Sequence, residues 1–137
     1  MNMKSVLIVD DERDTIKHLA RAFENRGFKV AMATSGEEGV EAYRKEKPDF
    51  VLLDLFMPKR DGLEILGDLK KIDAQAKVLM ITAEEGQAFI NKAKAAGARG
   101  YVIKPFGVEQ LTALAGRFMH WEDNESFFII GGENHGN

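Results

Sequence analysis

Hydrophobic residues recur along the chain as five short, nearly continuous runs. The runs cover residues 6–9, 30–33, 50–53, 78–81 and 101–103. Strands that are covered on both faces have this near-continuous pattern, whereas strands with one face in water alternate between apolar and polar residues. The pattern therefore predicts five buried strands of a parallel sheet.

The segments between the runs have the spacing of amphipathic helices. Four apolar residues of the first segment are placed at i, i+3, i+4 and i+7: Ile16, Leu19, Ala20 and Phe23. Ser35 with Glu38 is a capping-box pattern that predicts the start of a second helix, and Asp61 is suited to cap a third. A fourth helix is predicted near 84–96, and a fifth begins near residue 108.

Strict alternation of strand and helix predicts right-handed crossovers and a parallel sheet with helices on both faces. We expect a flavodoxin-like, doubly wound (βα)5 three-layer sandwich, with five parallel strands in the order 2-1-3-4-5. In such folds ligands bind beyond the carboxyl ends of the strands where the strand order reverses, here between the first and third strands. This edge of the sheet is therefore where chemistry is expected.

Composition limits the class of protein. The chain has 137 residues, which suits one domain, since domains of about 150 residues are common. There is no cysteine, which excludes a disulfide framework and thiol catalysis, and the three histidines are far apart in sequence: His18, His120 and His135. A histidine-built or cysteine-built metal site is therefore not expected.

Charge and hydropathy bear on partners and location. The net charge is −3, and no basic stripe of the kind that neutralises nucleic-acid phosphates is present. The N-terminal apolar run is too short for a signal-peptide core or a membrane span. We expect a cytoplasmic protein that binds neither nucleic acid nor membrane.

Acidic residues follow the predicted strands at the expected edge. Asp10 and Asp11 follow the first strand and Asp54 the third, while Thr82 and Lys104 follow the fourth and fifth. Three carboxylates at close quarters repel one another unless a cation neutralises them. With only oxygen donors, the expected ion is Mg²⁺, with Mn²⁺ as an alternative.

A lysine and a hydroxyl beside such an ion suit phosphoryl transfer, because its catalysis consists mostly of positioning and charge neutralisation. Carboxylates act as covalent phosphoryl acceptors. Asp54 is therefore the candidate nucleophile.

Four motifs resemble the receiver domain of bacterial two-component response regulators. They are LIVDD at 7–11, LDLFMP at 53–58 with Asp61-Gly62, ITA at 81–83 and GYVIKPF at 100–106. The resemblance covers residues 4–118 and leaves 119–137 as an acidic C-terminal extension.

The resemblance implies a phosphoacceptor that assists its own phosphorylation and dephosphorylation rather than an enzyme. Asp54 would take a phosphoryl group from the phosphohistidine of a sensor histidine kinase or a phosphotransfer protein. Asp11, Asp54 and the backbone carbonyl of Phe56 would bind Mg²⁺ directly, and Asp10 would act mainly through metal-bound water. Lys104 would pair with the phosphoryl oxygens.

The resemblance also assigns a switch pair, Thr82 and Tyr101. On phosphorylation the Thr82 hydroxyl would turn to the phosphoryl group, and the Tyr101 ring would turn into the space that it leaves. The surface of the fourth helix, fifth strand and fifth helix would then change its binding of a downstream protein target or a second copy. The Lys104-Pro105 peptide matches one that is usually cis in the family.

Two other functions compete. A receiver-like scaffold that works by protein contact alone would usually lack the acceptor Asp or the Lys, and this chain keeps both. A phosphatase of the haloacid dehalogenase type also uses a strand-end Asp and Mg²⁺, but it needs an acid two residues further on, where this chain has Phe56. At that position the bulky ring favours slow self-dephosphorylation, because it would shield the phosphoryl group from water.

The extension 119–137 contains Glu122, Asp123, Glu125 and Glu133 and no lysine or arginine. It also contains the apolar run 127–130, which is unlike a solvated linker. We expect this run to pack on the receiver or on a second copy. We expect no DNA-binding output domain in this chain, and the alternative is that the extension is the start of a cut-off output domain.

Overall fold

The computed structural model describes residues 4–119 and 127–132. For residues 115–119 it describes the backbone alone. Strands and helices alternate along these two ranges. The strands are β1 (Ser5–Val9), β2 (Lys29–Ala33), β3 (Phe50–Asp54), β4 (Val78–Thr82), β5 (Gly100–Ile103) and β6 (Phe128–Gly131). The helices are α1 (Arg13–Glu24), α2 (Gly36–Glu46), α3 (Gly62–Ile72), α4 (Gln87–Ala95) and α5 (Val108–Met119).

All strands belong to one parallel sheet in the order β2-β1-β3-β4-β5-β6. The predicted fold class and the order of the first five strands are confirmed. Every residue of β3, β4 and β5 is buried, as their near-continuous apolar runs predict. The order reverses between β1 and β3, which places a crevice at the carboxyl ends of these two strands.

The predicted number of strands was wrong, because the sheet has six strands instead of five. The apolar run near the C-terminus forms β6 and pairs in parallel with β5. Helix α5 is thereby the crossover of a sixth strand unit and not the last element of the fold. The acidic residues of the extension lie outside the described residues.

Two apolar layers, one on each face of the sheet, form the core. One layer joins the sheet to α2, α3 and α4 through Tyr43, Ile65 and Ile90. The other joins it to α1 and α5 through Phe23 and Leu111. The sheet is thus covered on both faces, which holds the loops at its carboxyl edge on a rigid support.

Helix starts follow the predicted caps with one exception. The Ser35 hydroxyl accepts a hydrogen bond from the Glu38 N–H at 3.2 Å, and the Asp61 carboxylate accepts one from the Leu63 N–H at 2.7 Å. Helix α4 begins at Gln87 instead of residue 84, because residues 83–86 form a loop at the end of β4. No helix in the described ranges combines the length and apolar character that crossing a bilayer requires.

Candidate functional site

Three carboxylates meet at the crevice between β1 and β3. Asp10 directly follows β1, and Asp54 is the last residue of β3. The two strands are paired so that Val9 lies beside Leu53, which brings the following acids together. Carboxylate oxygens of Asp10, Asp11 and Asp54 all lie within 4.8 Å of one another.

The local backbone fixes the orientation of the two buried acids. Asp10 is 2% exposed and accepts a hydrogen bond from the Glu12 N–H at 2.9 Å. Asp54 is 7% exposed and accepts one from the Phe56 N–H at 3.1 Å. Asp11 is exposed and faces the same cluster from the solvent side.

Burial and mutual repulsion raise the pKa of the two buried acids in this cluster. Burial raises the pKa of the Asp54 carboxyl to about 7, and the neighbouring Asp10 charge adds to the rise. The pKa of Asp10 is also raised, again mainly by burial. A divalent cation bound here would relieve both effects, and an all-oxygen donor set suits Mg²⁺. The residues therefore fit a magnesium ion.

Lys104 supplies positive charge beside the cluster. The backbone N–H of Lys104 donates a hydrogen bond to the backbone carbonyl of Thr82 at 2.8 Å, which connects the end of β5 to the end of β4. Its Nζ lies 3.6 Å from Oδ2 of Asp10 and 3.7 Å from Oε1 of Glu12. The ammonium group lowers the pKa of both buried acids, although less than burial raises it.

Thr82 and Tyr101 are linked through the backbone of Glu84. The Thr82 hydroxyl accepts a hydrogen bond from the Glu84 N–H at 3.1 Å. The Tyr101 hydroxyl donates to the carbonyl of Glu84 at 2.8 Å. Both side chains are buried. The two residues that the sequence predicts as a switch pair thus hold one loop residue between them.

The loop after Asp54 turns back sharply against β3. Phe56 pairs with Asp61, and the Gly62 N–H donates to the carbonyl of Leu55 at 2.8 Å. A Cβ at Gly62 would collide with the backbone of Asp54 and Leu55, so this position requires glycine. The loop therefore keeps the backbone of Phe56 beside Asp54.

The Phe56 ring lies at the mouth of the site. It is 51% exposed and makes an edge-on contact with Phe89 of α4, with ring centroids 5.4 Å apart. Lys92 lies 5.8 Å from the centroid of the Phe89 ring. The loop that carries Phe56 is thus connected to α4 by an aromatic pair.

The structure brings Asp10, Asp11, Asp54 and Lys104 together, and Thr82 and Tyr101 share Glu84 as a hydrogen-bond partner. Sequence reasoning missed two contributors, Glu12 as the second carboxylate beside Lys104 and Phe89 as the partner of Phe56. Glu12 was visible as the third member of the acidic run after β1. Phe89 carried no signal, because its contact depends on the packing of α4.

The comparisons identify the class of protein. Residues 6–115 match the family model of the response regulator receiver domain. The chain belongs to the response regulator receiver family, and its function is two-component phosphotransfer signalling.

Three relatives illustrate the similarity. The chain is 40% identical over 104 residues to the chemotaxis protein CheY of Halobacterium salinarum, covering 75% of this chain and 86% of that protein. It is 33% identical over 124 residues to the sporulation initiation phosphotransferase F of Bacillus subtilis, covering 90% and 99%. The structure of a CheX-CheY-BeF3-Mg complex from Borrelia burgdorferi superposes with a TM-score of 0.77 at 32% identity, covering 83% of this chain and 89% of that chain.

Proposed function

We propose that Asp54 is the phosphoacceptor and that Asp10, Asp11 and Asp54 form the Mg²⁺ site. The observation that carries the proposal is the convergence of these three carboxylates within 4.8 Å at the switch point of the sheet. Asp11, Asp54 and the backbone carbonyl of Phe56 would hold the ion directly, and Asp10 would act mainly through metal-bound water. When bound, the ion would supply positive charge that neutralises the carboxylates and the incoming phosphoryl oxygens.

The phosphoryl group comes from the phosphohistidine of a sensor histidine kinase or a phosphotransfer protein. A carboxylate oxygen of Asp54 attacks phosphorus, the bond from phosphorus to the histidine nitrogen breaks, and the imidazole leaves with that electron pair. Lys104 turns from Asp10 to pair with the phosphoryl oxygens. The chain thereby assists its own phosphorylation, and the same groups assist hydrolysis of the acyl phosphate by water.

Thr82 and Tyr101 carry the signal away from the site. The Thr82 hydroxyl leaves the Glu84 N–H and donates to the phosphoryl group, and the inward position of the Tyr101 ring is stabilised. The surface of α4, β5 and α5 then changes its affinity for a downstream protein target or a second copy. Residues 4–118 make up this receiver, and residues 119–137 extend it.

The proposal is tested by incubating the full chain with Mg²⁺ and a phosphoramidate and measuring its mass. The wild-type chain should gain one phosphoryl group, and Asp54→Asn should gain none. EDTA should prevent the gain in the wild-type chain. A wild-type chain that gains no phosphoryl group under these conditions, yet binds its partner, would favour the scaffold function instead, and turnover of phosphate esters would favour the phosphatase.

A further inference from the structure

The sixth strand covers an edge of the sheet that a five-stranded receiver leaves open. β6 runs parallel to β5, with Gly100 beside Phe128, Tyr101 beside Ile129 and Ile103 beside Gly131. An open strand edge presents unpaired N–H and C=O groups that accept a further strand. In this chain the strand that occupies the edge of β5 is its own segment 127–132.

Two glycines make the fit between β5 and β6 specific. The Phe128 ring lies over Gly100, where a Cβ would come within 2.6 Å of the ring Cζ. Gly131 has φ of 84°, and a Cβ there would collide with the carbonyl oxygen of Ile103. Ile130 is 4% exposed and belongs to the core layer under α1 and α5. The strand is therefore fitted to this edge of the sheet.

The end of β6 contacts the loop that carries Lys104. The Gly132 N–H donates to the carbonyl of Pro105 at 3.0 Å. Gly131 packs against the carbonyl of Ile103. Lys104 stands between these two contact residues in the chain, so a movement of its backbone displaces the groups on which β6 docks.

β6 also flanks Tyr101. Paired residues of neighbouring parallel strands point to the same face and lie about 4.8 Å apart, so Ile129 stands beside Tyr101 on its outer side. Phe127 packs against the same apolar layer as Tyr101. The Tyr101 ring is 0% exposed although β5 would be an edge strand without β6. A turn of this ring toward the edge of the sheet would therefore meet Ile129.

We propose that β6 is a clamp that holds Tyr101 in its inward position and that docking of β6 and phosphorylation of Asp54 stabilise each other. The coupling between β6 and phosphorylation rests on the proposed function, because it uses Tyr101 and Lys104 as parts of the phosphorylation switch. Coupling is reciprocal, so whatever strengthens one event strengthens the other. The clamp makes the C-terminal segment a regulator of the receiver.

The first experiment needs no phosphorylation. The full chain is labelled with 3-fluorotyrosine, which gives two fluorine resonances, since the chain has two tyrosines. Tyr43→Phe assigns them. Gly131→Ala and Ile130→Asp are the undocking variants, and Gly67→Ala is the matched control, because a Cβ at Gly67 meets nothing within 4 Å.

In both undocking variants the backbone amide hydrogens of β5 and β6 should exchange with solvent at least ~10-fold faster. The fluorine on the Tyr101 ring should become accessible to solvent. The Tyr43 resonance reports that the rest of the fold is intact. Gly67→Ala should change neither the exchange nor the Tyr101 resonance. If the Tyr101 fluorine stays buried although the β6 amides have lost their protection from exchange, the clamp is overturned.

The second experiment adds Mg²⁺ and a phosphoramidate. Phosphorylation of the wild-type chain should slow exchange of the β6 amides at least ~3-fold, and Gly131→Ala should lower the phosphorylated fraction. Unchanged exchange in a chain whose mass shows phosphorylation would overturn the linkage. If no chain gains a phosphoryl group, the proposed function fails, while the fluorine experiment still decides whether β6 holds Tyr101.

Discussion

The ammonium group of Lys104 lies 3.6 Å from Oδ2 of Asp10. The pair joins the loop after β5 to the loop after β1, although β3 and β4 lie between these two strands in the sheet. An amine in this position offsets part of the repulsion among the carboxylates and is close enough to meet an incoming anion.

Lys104→Met should slow phosphorylation of Asp54 by about 100-fold, because the phosphoryl oxygens lose a charged partner. The initial rate of phosphoryl mass gain from a phosphoramidate measures this. Lys59→Met, which removes an exposed cation from the loop after Asp54, is the matched control and should keep the wild-type rate within a factor of about three. Equal rates for Lys104→Met and the wild-type chain would contradict the role of the lysine.

Mg²⁺ affinity should rise with pH. The pKa of Asp54 is raised to about 7 by burial and by Asp10, and a metal ligand must lose its proton to bind. The dissociation constant for Mg²⁺ should therefore fall about 10-fold per pH unit below pH 7 and level off above it. Calorimetric titration at pH 6 and pH 8 measures this. A dissociation constant that is the same at both pH values would contradict Mg²⁺ binding through a carboxyl with a raised pKa.

In the metal-free protein, the raised pKa of Asp54 should make the free energy of unfolding fall as the pH rises. A carboxyl whose pKa is higher in the folded than in the unfolded chain stabilises the fold only while it is protonated. Its contribution is fully present below the unfolded value of 3.8 and is lost as the pH rises through about 7.

Asp54→Asn should therefore raise the free energy of unfolding at pH 8 in EDTA by on the order of 2 kcal/mol. Urea unfolding at pH 8 and pH 4.5 measures the difference, which should shrink at the lower pH. Glu41→Gln, at an exposed position of α2, serves as a control for charge removal alone. A variant no more stable than wild type at pH 8 would contradict the raised pKa.

Phe56→Asn should shorten the lifetime of the acyl phosphate several-fold, because a polar side chain at the mouth of the site admits and orients water. Loss of phosphoryl mass after removal of the donor measures the lifetime. Phe89→Ala removes the contact that positions the Phe56 ring and should shorten the lifetime less. If Phe56→Asn leaves the lifetime unchanged, the ring does not shield the site.

The apolar runs predicted the first five strands, because buried parallel strands leave a strong signal. Their order was predicted from the arrangement that is common among doubly wound folds. Asp10, Asp54, Thr82 and Lys104 could be placed at one edge because parallel strands end at the same edge. The start of α4 could not be predicted, since the hydrogen bonds of Glu84 to Thr82 and Tyr101 keep residues 83–86 in a loop.

The pairing of β6 with β5 was not predicted, although the run 127–130 was expected to pack on the receiver or on a second copy. The run 127–130 resembles the other strands, but its place in the sheet depends on the fit of Phe128 over Gly100 and of Gly131 against Ile103. Such contacts between residues far apart in sequence leave no periodic pattern.

The most direct test of the account is to locate the phosphoryl group on the chain. Borohydride reduces an acyl phosphate of aspartate to homoserine, so reduction after phosphorylation marks the acceptor, and peptide mass spectrometry then identifies its position. Homoserine is expected at position 54 alone, and only when Mg²⁺ is present during phosphorylation. Homoserine at another aspartate, or a phosphorylated chain with unmodified Asp54, would contradict this expectation.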